Sequence, residues 1–291
     1  MIKVLVTGSS GFVGKQLVNT FSDQVDWICQ SLRGGIEELN IDWQEIDIVV
    51  HLAGIAHRME PTPDQLYYSI NTDLTLKFAK EAKSKGVKQF IFISTIKVYG
   101  EDYNHLTLET KTSPNDAYGG SKLAAEKELR ALEDKDFVIS IVRPPLIIGP
   151  GAKGNLHSLM RLAKKNVPLP FGAIRNNRAM ISTTNLCAFI FKLIKTPTSG
   201  TFLVSEDIQP STTTLLSLIK ESMGKKPLLF SIPDFLRQVI KKTKPELYIR
   251  LFGSLTVDNE SSYQSLGFSN PSDLKESIEE MVIAFERNQH K

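Results

Sequence analysis

The sequence predicts an α/β fold with a doubly wound parallel sheet. Two observations lead to this prediction. Short apolar runs recur at 2–6, 46–54 and 88–95, and segments with helical periodicity separate them. Strands that alternate with helices of about 10–15 residues imply right-handed crossovers and a mostly parallel sheet. Each run has a continuous apolar centre, which is typical of strands buried on both faces.

The elements follow in a regular order. IKVLV is the first strand, GKQLVNTF the first helix and DWICQSL the second strand. IDIVVHLAG and KQFIFIST are further strands, with the helix TDLTLKFAKEAKSKG between them. SKLAAEKELRAL then predicts a helix and DFVISIVRP another strand.

Two parts of the chain differ in composition. Residues 1–150 are predicted to form the sheet domain, with a return of the chain to it near 180–200 left open. In 151–291, Pro and Gly become frequent, which predicts a smaller α/β region that caps the carboxyl edge of the sheet. Because open α/β sheets bind ligands at that edge, we expect 151–291 to be mainly a substrate-binding domain. The last helix, LKESIEEMVIAFERN, places five apolar residues on one side, namely Leu274, Ile278, Met281, Val282 and Phe285.

Composition excludes several classes of protein. The chain has 291 residues, a net charge of +3 and a hydrophobic content of 41%, as in ordinary globular proteins. Its basic residues form no block with interleaved aromatics, so we expect no nucleic-acid partner. No apolar run approaches a membrane span, so we expect no membrane partner. Cys29 and Cys187 are far apart, which predicts no metal site, no disulfide and a cytoplasmic location.

A glycine turn follows the first strand and begins a helix. TGSSGFVGK contains Gly8, Gly11 and Gly14. The first glycine permits a tight turn, the second lets a pyrophosphate approach the backbone, and the third lets the helix pack on the strand. The helix amino end, with Phe12 and Val13, then offers N–H groups to the anion. A turn without a ligand is the alternative, and we favour a dinucleotide site.

The end of the second strand bears on which dinucleotide binds. An acid there would bind the adenosine ribose and repel a 2′-phosphate. The sequence reads CQSLRGG, so Ser31 and Arg33 stand where the acid is expected. Serine and arginine both bind phosphate, arginine through paired hydrogen bonds. We therefore expect NADP or NAD, with NADP weakly preferred.

A tyrosine and a lysine begin the third predicted helix. Tyr118 and Lys122 are four residues apart, so they share one helix face. The strand before them ends with Ser94 and Thr95, at the edge where open α/β sheets bind ligands. The intervening segment is long for a connection, and such loops are usually functional.

The motifs GxxGxxG, HLAG, ISTxKVYG, YxxxK and RPPLIIGPG occur in this order. Together they resemble the extended short-chain dehydrogenase/reductase family, with its Rossmann sheet and nucleotide-sugar epimerases, dehydratases and reductases. The resemblance implies that Tyr118 is the acid/base, that Lys122 favours the phenolate and holds the nicotinamide ribose, and that Thr95 bonds the sugar oxygen. Ser94 is the alternative hydroxyl.

The same resemblance implies further contacts. The small residues of HLAG, Ala53 and Gly54, would lie beside the cofactor. Asn71 would brace the strands near the site, with a helix N-cap as its alternative, and a proline would end the strand that faces the nicotinamide. The cofactor residues on this basis are Leu52, Ala53, Gly54, Asn71, Lys122 and Pro144. The substrate residues are Thr95 and Tyr118 with Lys153, Asn155, Arg178 and Arg250.

The resemblance also implies a reaction, hydride transfer at C4 of a UDP-sugar. Because the acid after the second strand is missing, we favour a UDP-4-keto-6-deoxy-sugar reductase. A UDP-glucose or UDP-GlcNAc 4-epimerase is the alternative. A non-catalytic NAD(P)-binding sensor or assembly factor is a third possibility, disfavoured because Tyr118 and Lys122 are both present. We expect a homodimer.

Overall fold

The described residues form a central sheet of six parallel strands. The computed structural model describes residues 1–35, 39, 41–56, 62–152 and 154–287, and only the backbone of residues 246 and 250. The strands are β1 Ile2–Thr7, β2 Val25–Gln30, β3 Ile48–His51, β4 Gln89–Ile93, β5 His105–Leu106, β6 Val138–Arg143, β7 Leu146–Ile148, β8 Met180–Ser182, β9 Gly200–Leu203 and β10 Thr256–Val257. The sheet order is β2-β1-β3-β4-β6-β9.

Helices connect these strands. They are α1 Phe12–Thr20, α2 Asp64–Tyr68, α3 Thr75–Ser84, α4 Ala117–Leu132, α5 Asn155–Lys164, α6 Thr183–Lys195, α7 Thr212–Ser222, α8 Asp234–Thr243, α9 Pro245–Phe252, α10 Glu260–Leu266 and α11 Leu274–Arg287. A π-helical turn, Ser69–Leu74, joins α2 to α3, and a 3-10 turn, Ile96–Tyr99, follows β4.

Both faces of the sheet are covered by helices. Side chains alternate along each strand, so Val4 and Val6 pack with α1 and α6, whereas Leu5 packs on the other face with α3 and α4. The strands β3 and β4 are buried over their whole length. This arrangement confirms the predicted doubly wound parallel sheet.

The strand order reverses between β1 and β3. The chain passes from β1 to β2 on one side, then crosses to β3 and continues through β4, β6 and β9 on the other. The helices that follow β1 and β3, α1 and α3, therefore lie on opposite faces of the sheet, and the order reverses at the carboxyl edge between these strands. Open α/β sheets bind their ligands at such a point.

A second group of elements packs beside the sheet. The helices α5, α7 and α11 share an apolar cluster, in which the five predicted α11 residues are buried. Two short parallel strand pairs lie outside the large sheet. They are β7 with β8 and β5 with β10. Both α6 and β9 belong to the large sheet layer. The domain boundary at residue 150 stays a prediction. No described helix is long and apolar enough to cross a membrane.

One predicted helix starts earlier than expected. The pattern TDLTLKFAKEAKSKG predicted a beginning near Thr72, whereas helical backbone runs from Asp64 to Ser84 with the π turn inside it. Asn71 therefore lies within the helix and is not its N-cap. Residues before Thr72, such as Tyr67, are helical because they pack on α4, a tertiary contact that periodicity alone does not reveal.

Candidate active site

The glycine turn after β1 is pressed against the loop that follows β3. Gly8 has φ of +73°, and a Cβ added there would lie 2.7 Å from Ala53 N and 2.8 Å from the carbonyl carbon of Leu52. A Cβ at Gly14 would lie 2.4 Å from Gly8 O. At Gly11 an added Cβ would approach Gly8 O at 3.1 Å, with no second contact among the described residues within 4 Å. The turn is closed towards the sheet and accessible at Gly11.

The amino end of α1 offers amides to an anion. Gly11 is the N-cap residue and supplies no side-chain hydrogen bond, and the first turn, which begins with Phe12 and Val13, contains no acid. Uncapped N–H groups and the positive end of the helix dipole attract phosphate. These features fit the pyrophosphate of a dinucleotide. The assignment of individual residues to the cofactor stays a prediction.

The residues after β2 lie at the same edge of the sheet. Gln30, the last residue of β2, pairs with Thr7 at the end of β1. Ser31 and Arg33 follow it and are exposed, and Ser31 Oγ accepts from Arg33 N at 3.4 Å. Both side chains are therefore accessible next to the glycine turn, where the adenosine half of a dinucleotide would lie.

Thr7 links the ends of β1 and β3. Its carbonyl accepts from Leu52 N at 3.1 Å, and its hydroxyl accepts from Ala53 N at 3.3 Å. His51 Nδ1 lies 3.0 Å from the same hydroxyl, and its Nε2 lies 3.0 Å from Thr75 Oγ1. Burial lowers the pKa of His51 to about 3. The histidine is thus neutral and holds the strand ends together.

Asn71 braces the loop after Gly54. Its side chain accepts from Ile55 N at 2.9 Å and donates to Ile55 O and to Ser121 Oγ, both at 3.0 Å. Asn71 is fully buried, so the structure gives it these internal bonds and no accessible surface for a cofactor. A Cβ added at Gly54 would lie 2.8 Å from Asn71 Oδ1 and 3.4 Å from Lys122 Nζ, which explains the need for glycine.

Of the two hydroxyl residues after β4, Thr95 contacts the tyrosine. The Thr95 hydroxyl accepts from Lys97 N at 3.2 Å, which begins the 3-10 turn, and it is hydrogen-bonded to Tyr118. Ser94 Oγ is buried and has no hydrogen-bond partner among the described residues. The geometry therefore favours Thr95 over Ser94 as the neighbour of the phenol.

Tyr118 lies in the first turn of α4. Asp116 is the N-cap, and its carboxylate accepts from Gly119 N at 2.7 Å. The ring of Tyr118 lies 6.3 Å from that of Tyr67. Burial raises the pKa of the Tyr118 phenol to about 12, and the hydrogen bond with Thr95 opposes this rise. The phenol is therefore protonated at neutral pH.

Lys122 is buried one turn later. Its Nζ donates to Ile93 O at 2.9 Å and lies 4.5 Å from the centre of the Phe92 ring. Burial lowers the pKa of Lys122 to about 8, an effect that the carboxylate of Glu126 opposes. We expected Lys122 to lower the pKa of Tyr118, but burial raises the pKa of the phenol, Asp116 and Tyr67 add to the rise, and only the hydrogen bond with Thr95 opposes it.

A buried ion pair beneath the site escaped sequence analysis. Arg143 Nε donates to Glu126 Oε1 at 3.0 Å, and Nη2 donates to Oε2 at 2.5 Å. Arg143 Nη1 also donates to Tyr99 Oη at 2.6 Å. The adjacent Pro144 is buried, and its carbonyl accepts from Ile96 N at 3.1 Å. The sequence signal available for this ion pair was Glu126, an acid on the apolar side of α4.

The other predicted substrate residues are distant from Tyr118 in sequence and lie outside α4. Asn155 is exposed at the start of α5. Arg178 is partly buried, and its Nη1 donates to Ile249 O at 3.4 Å and to Gly253 O at 3.3 Å. Burial lowers the pKa of Arg178, and no charged group among the described residues offsets this.

Two substrate predictions remain without a described side chain. Lys153 lies outside the described residues. For Arg250 the structure describes the backbone within α9. The roles proposed for both residues stay predictions.

Most of the chain matches known proteins. Residues 4–204 match the family model described as the NAD dependent epimerase/dehydratase family. A Vibrio cholerae protein named UDP-glucose 4-epimerase is 35% identical over 311 aligned residues, which cover 97% of this chain and 95% of that protein. An Escherichia coli O157:H7 protein, named N-acetyl-alpha-D-glucosaminyl-diphospho-ditrans,octacis-undecaprenol 4-epimerase, is 26% identical, with 95% and 93% covered.

A solved structure shares the fold. RMD from Pseudomonas aeruginosa, complexed with NADPH, aligns with a TM-score of 0.78 at 20% identity and covers 99% of this chain and 100% of that one. At this identity the likeness concerns the fold alone. The family match and the 35% identity carry the assignment. The chain therefore belongs to the NAD dependent epimerase/dehydratase family and is an enzyme of the epimerase/dehydratase type.

Proposed function

We propose that this enzyme moves hydride between a nicotinamide and C4 of the hexose of a UDP-sugar. The observation that carries the proposal is the hydrogen bond between Tyr118 and Thr95, one helical turn before the buried Lys122. These groups lie on the same sheet edge as the glycine turn. The names of the Vibrio cholerae and Escherichia coli relatives support C4 as the reacting carbon.

Tyr118 transfers the hydroxyl proton of the sugar in this proposal. Because burial raises its pKa, the phenol is protonated at neutral pH and holds the proton that a ketone oxygen would receive. In the opposite direction the ionised phenol accepts the proton of the C4 hydroxyl, and the Thr95 hydroxyl stabilises the charge by its hydrogen bond. When bound, an oxidised nicotinamide would supply the hydride acceptor and a positive charge that favours the phenolate.

Lys122 lies one helical turn after Tyr118 on the same face of α4. Its ammonium lies between the carbonyl of Ile93 and the backbone at Gly54, which is where the resemblance places the nicotinamide ribose. Ribose hydroxyls accept and donate hydrogen bonds, so they can share this donor with Ile93 O. In this proposal the lysine orients the cofactor by donating to the ribose.

Arg178 is the proposed anchor for the diphosphate. Its guanidinium is partly buried and contacts backbone carbonyls, so a diphosphate would provide the missing counter-charge. Asn155 at the start of α5 is a second contact in this proposal, and Lys153 and Arg250 remain candidates. The two named relatives act on sugars that carry a nucleotide and a lipid diphosphate respectively, and an arginine can bind either.

Two outcomes share these residues. We place 4-epimerisation first, because both relatives are named as 4-epimerases and match nearly the whole chain. Reduction of a 4-keto-6-deoxy sugar is the second candidate. It is favoured by the exposed Ser31 and Arg33 at the end of β2, since these side chains suit the 2′-phosphate of NADPH, the cofactor of a reductase.

Incubation with sugar nucleotides separates the two outcomes. The enzyme is mixed with UDP-glucose, UDP-GlcNAc and a UDP-4-keto-6-deoxy sugar, with NADPH or NADH, while absorbance follows the cofactor. Interconversion of C4 epimers with no net cofactor oxidation identifies an epimerase. Stoichiometric oxidation with the ketone alone identifies a reductase. No turnover with any of these substrates would contradict the proposal.

Variants test the assignment of the tyrosine. Tyr118→Phe is expected to lower kcat by at least about a thousandfold while cofactor affinity changes little. Tyr263→Phe is the matched control, because Tyr263, in α10, is also buried and its pKa is also raised to about 12. Its hydroxyl donates a hydrogen bond to Ser205 O. Full activity of Tyr118→Phe would refute the role.

A homodimer, also part of this proposal, is tested by light scattering.

A further inference from the structure

The helices α8 and α9 carry apolar side chains on the outside of the molecule. No residue of α8 is buried, although Phe235, Leu236 and Val239 lie on one face of the helix. Phe235 is 67% exposed and Val239 is 51% exposed, and Leu247 and Ile249 of α9 are also exposed. These five residues are called the apolar patch below. An amphipathic helix normally turns such a face towards the core.

The basic side of α8, by contrast, faces its neighbour. The Arg237 guanidinium lies 5.6 Å from the centre of the Phe252 ring, and Lys241 Nζ lies 5.6 Å from that of Tyr248. These contacts between cations and aromatic rings hold the two helices together. They also fix the rotation of α8, because turning the apolar face inwards would break both. The exposure of the patch therefore follows from specific contacts within the helix pair.

The same segment carries the excess positive charge of the chain. Residues 225–252 contain seven lysine or arginine residues and two acids, a net charge of +5 in a chain whose total is +3. The rest of the chain is therefore net negative. Among the described side chains of this segment, one ion pair forms, Arg237 with Asp234 at 3.5 Å. The lysines Lys226, Lys241, Lys242 and Lys244 are exposed.

We propose that the apolar patch docks on an anionic phospholipid surface, with α8 and α9 lying in the plane of the membrane. Exposed aromatic and aliphatic side chains beside unneutralised lysines are the features of interfacial helices. Each lysine near an anionic surface strengthens binding by about fivefold. This attachment needs no spanning helix. It replaces the expectation of no membrane partner, which considered spanning segments alone.

A second copy of this chain is a poor occupant for the patch. A twofold interface would place each patch against itself, so two segments of net charge +5 would meet. Like charges in such contact oppose association. An anionic bilayer instead attracts the lysines and accepts the apolar side chains, so charge complementarity selects the membrane.

Docking would bring the membrane close to the proposed diphosphate site. Arg178 donates to the carbonyls of Ile249 and Gly253, at the carboxyl end of α9. The proposal concerns the surface and does not depend on which sugar is bound. Its failure and that of the proposed reaction are therefore measured separately.

Sedimentation with vesicles tests the proposal on the full chain. The protein is mixed with phosphatidylcholine vesicles that contain or lack phosphatidylglycerol, at low and high salt. We expect binding to the anionic vesicles, weakened at least about tenfold by high salt because the lysines are then screened. Equal binding to neutral vesicles, or none to either, would overturn the proposal.

Substitutions identify the surface. Phe235→Ser with Val239→Ser, and separately Lys242→Glu with Lys244→Glu, should each lower vesicle binding by at least about tenfold. Ile208→Ser is the matched control, since Ile208 is also 67% exposed but lies outside the patch. Turnover of a soluble UDP-sugar and the unfolding midpoint should not change. If the first pair instead dissociates an oligomer in light scattering, the patch binds protein and the proposal is wrong.

Discussion

Replacing Lys122 with methionine is expected to stabilise the fold while abolishing turnover. The lysine side chain is 5% exposed, and burial lowers its pKa from 10.5 to about 8. A tenfold change in proton affinity corresponds to about 1.4 kcal/mol, so near pH 7 the buried charge destabilises the fold by about 3 kcal/mol. Methionine removes the charge and loses the bond to Ile93 O, which is worth about 1 kcal/mol. The net gain is about 2 kcal/mol.

The dependence of this gain on pH distinguishes charge from packing. Lys122 has a lowered pKa in the folded state, so the unfolded chain binds the extra proton between about pH 8 and 10.5. The stability of the parent protein therefore rises with pH in this window, and the destabilisation by the buried charge is complete below about pH 8. The methionine variant lacks this dependence. From about pH 7 to about pH 9 the gain should narrow by about 1 kcal/mol.

Urea unfolding of both proteins at the two pH values measures this difference. His51 remains neutral throughout, because its pKa is about 3, and the other titrating groups are common to both proteins. Parallel stability curves would refute the buried-charge argument. A variant less stable than the parent at both pH values would show that the bond to Ile93 O and the packing on Phe92 dominate.

Three further changes test other parts of the site. Gly14→Ala should abolish binding of NADP(H) in a fluorescence titration and destabilise the fold by about 1–3 kcal/mol. The reason is that its Cβ would lie 2.4 Å from a carbonyl oxygen. Gly224→Ala, whose Cβ would meet nothing within 4 Å, should retain binding. Thr95→Val should move the rising limb of the pH–rate profile to higher pH by about one unit. The substitution removes the hydrogen bond that lowers the pKa of Tyr118. An unshifted profile would contradict the contact between Thr95 and Tyr118. Glu126→Gln should destabilise the fold by about 3–5 kcal/mol in urea unfolding, because it leaves a buried arginine without its carboxylate; a change below about 1 kcal/mol would count against a buried pair.

The sheet and the glycine turn were predictable because their signals are local. The strands β3 and β4 are continuous apolar runs, and the structure buries them completely. The glycine at position 8 is required by a positive φ and by contact with backbone atoms. The spacing of Tyr118 and Lys122 specifies a shared helix face. In each case a few neighbouring residues determine the geometry.

Features that depend on distant residues were not predictable. The helix from Asp64 begins where it does because Tyr67 packs near Tyr118. The pKa of the phenol follows burial by several elements, whereas the sequence showed only the neighbouring cation. The outward face of α8 was missed for the same reason. Its periodicity is that of a core helix, and contacts such as that of Arg237 with Phe252 turn it to solvent.

The pairing of Glu126 with Arg143 explains why Lys122 keeps an available charge. Glu126 lies four residues after Lys122, at a spacing where helix side chains are neighbours. Both of its carboxylate oxygens instead accept from Arg143, at 3.0 and 2.5 Å. Buried ion pairs seldom add net stability, so stability alone is a weak reason for this one. By holding the carboxylate, Arg143 leaves the ammonium directed at Ile93 O beside Gly54, where the proposed reaction requires a cation.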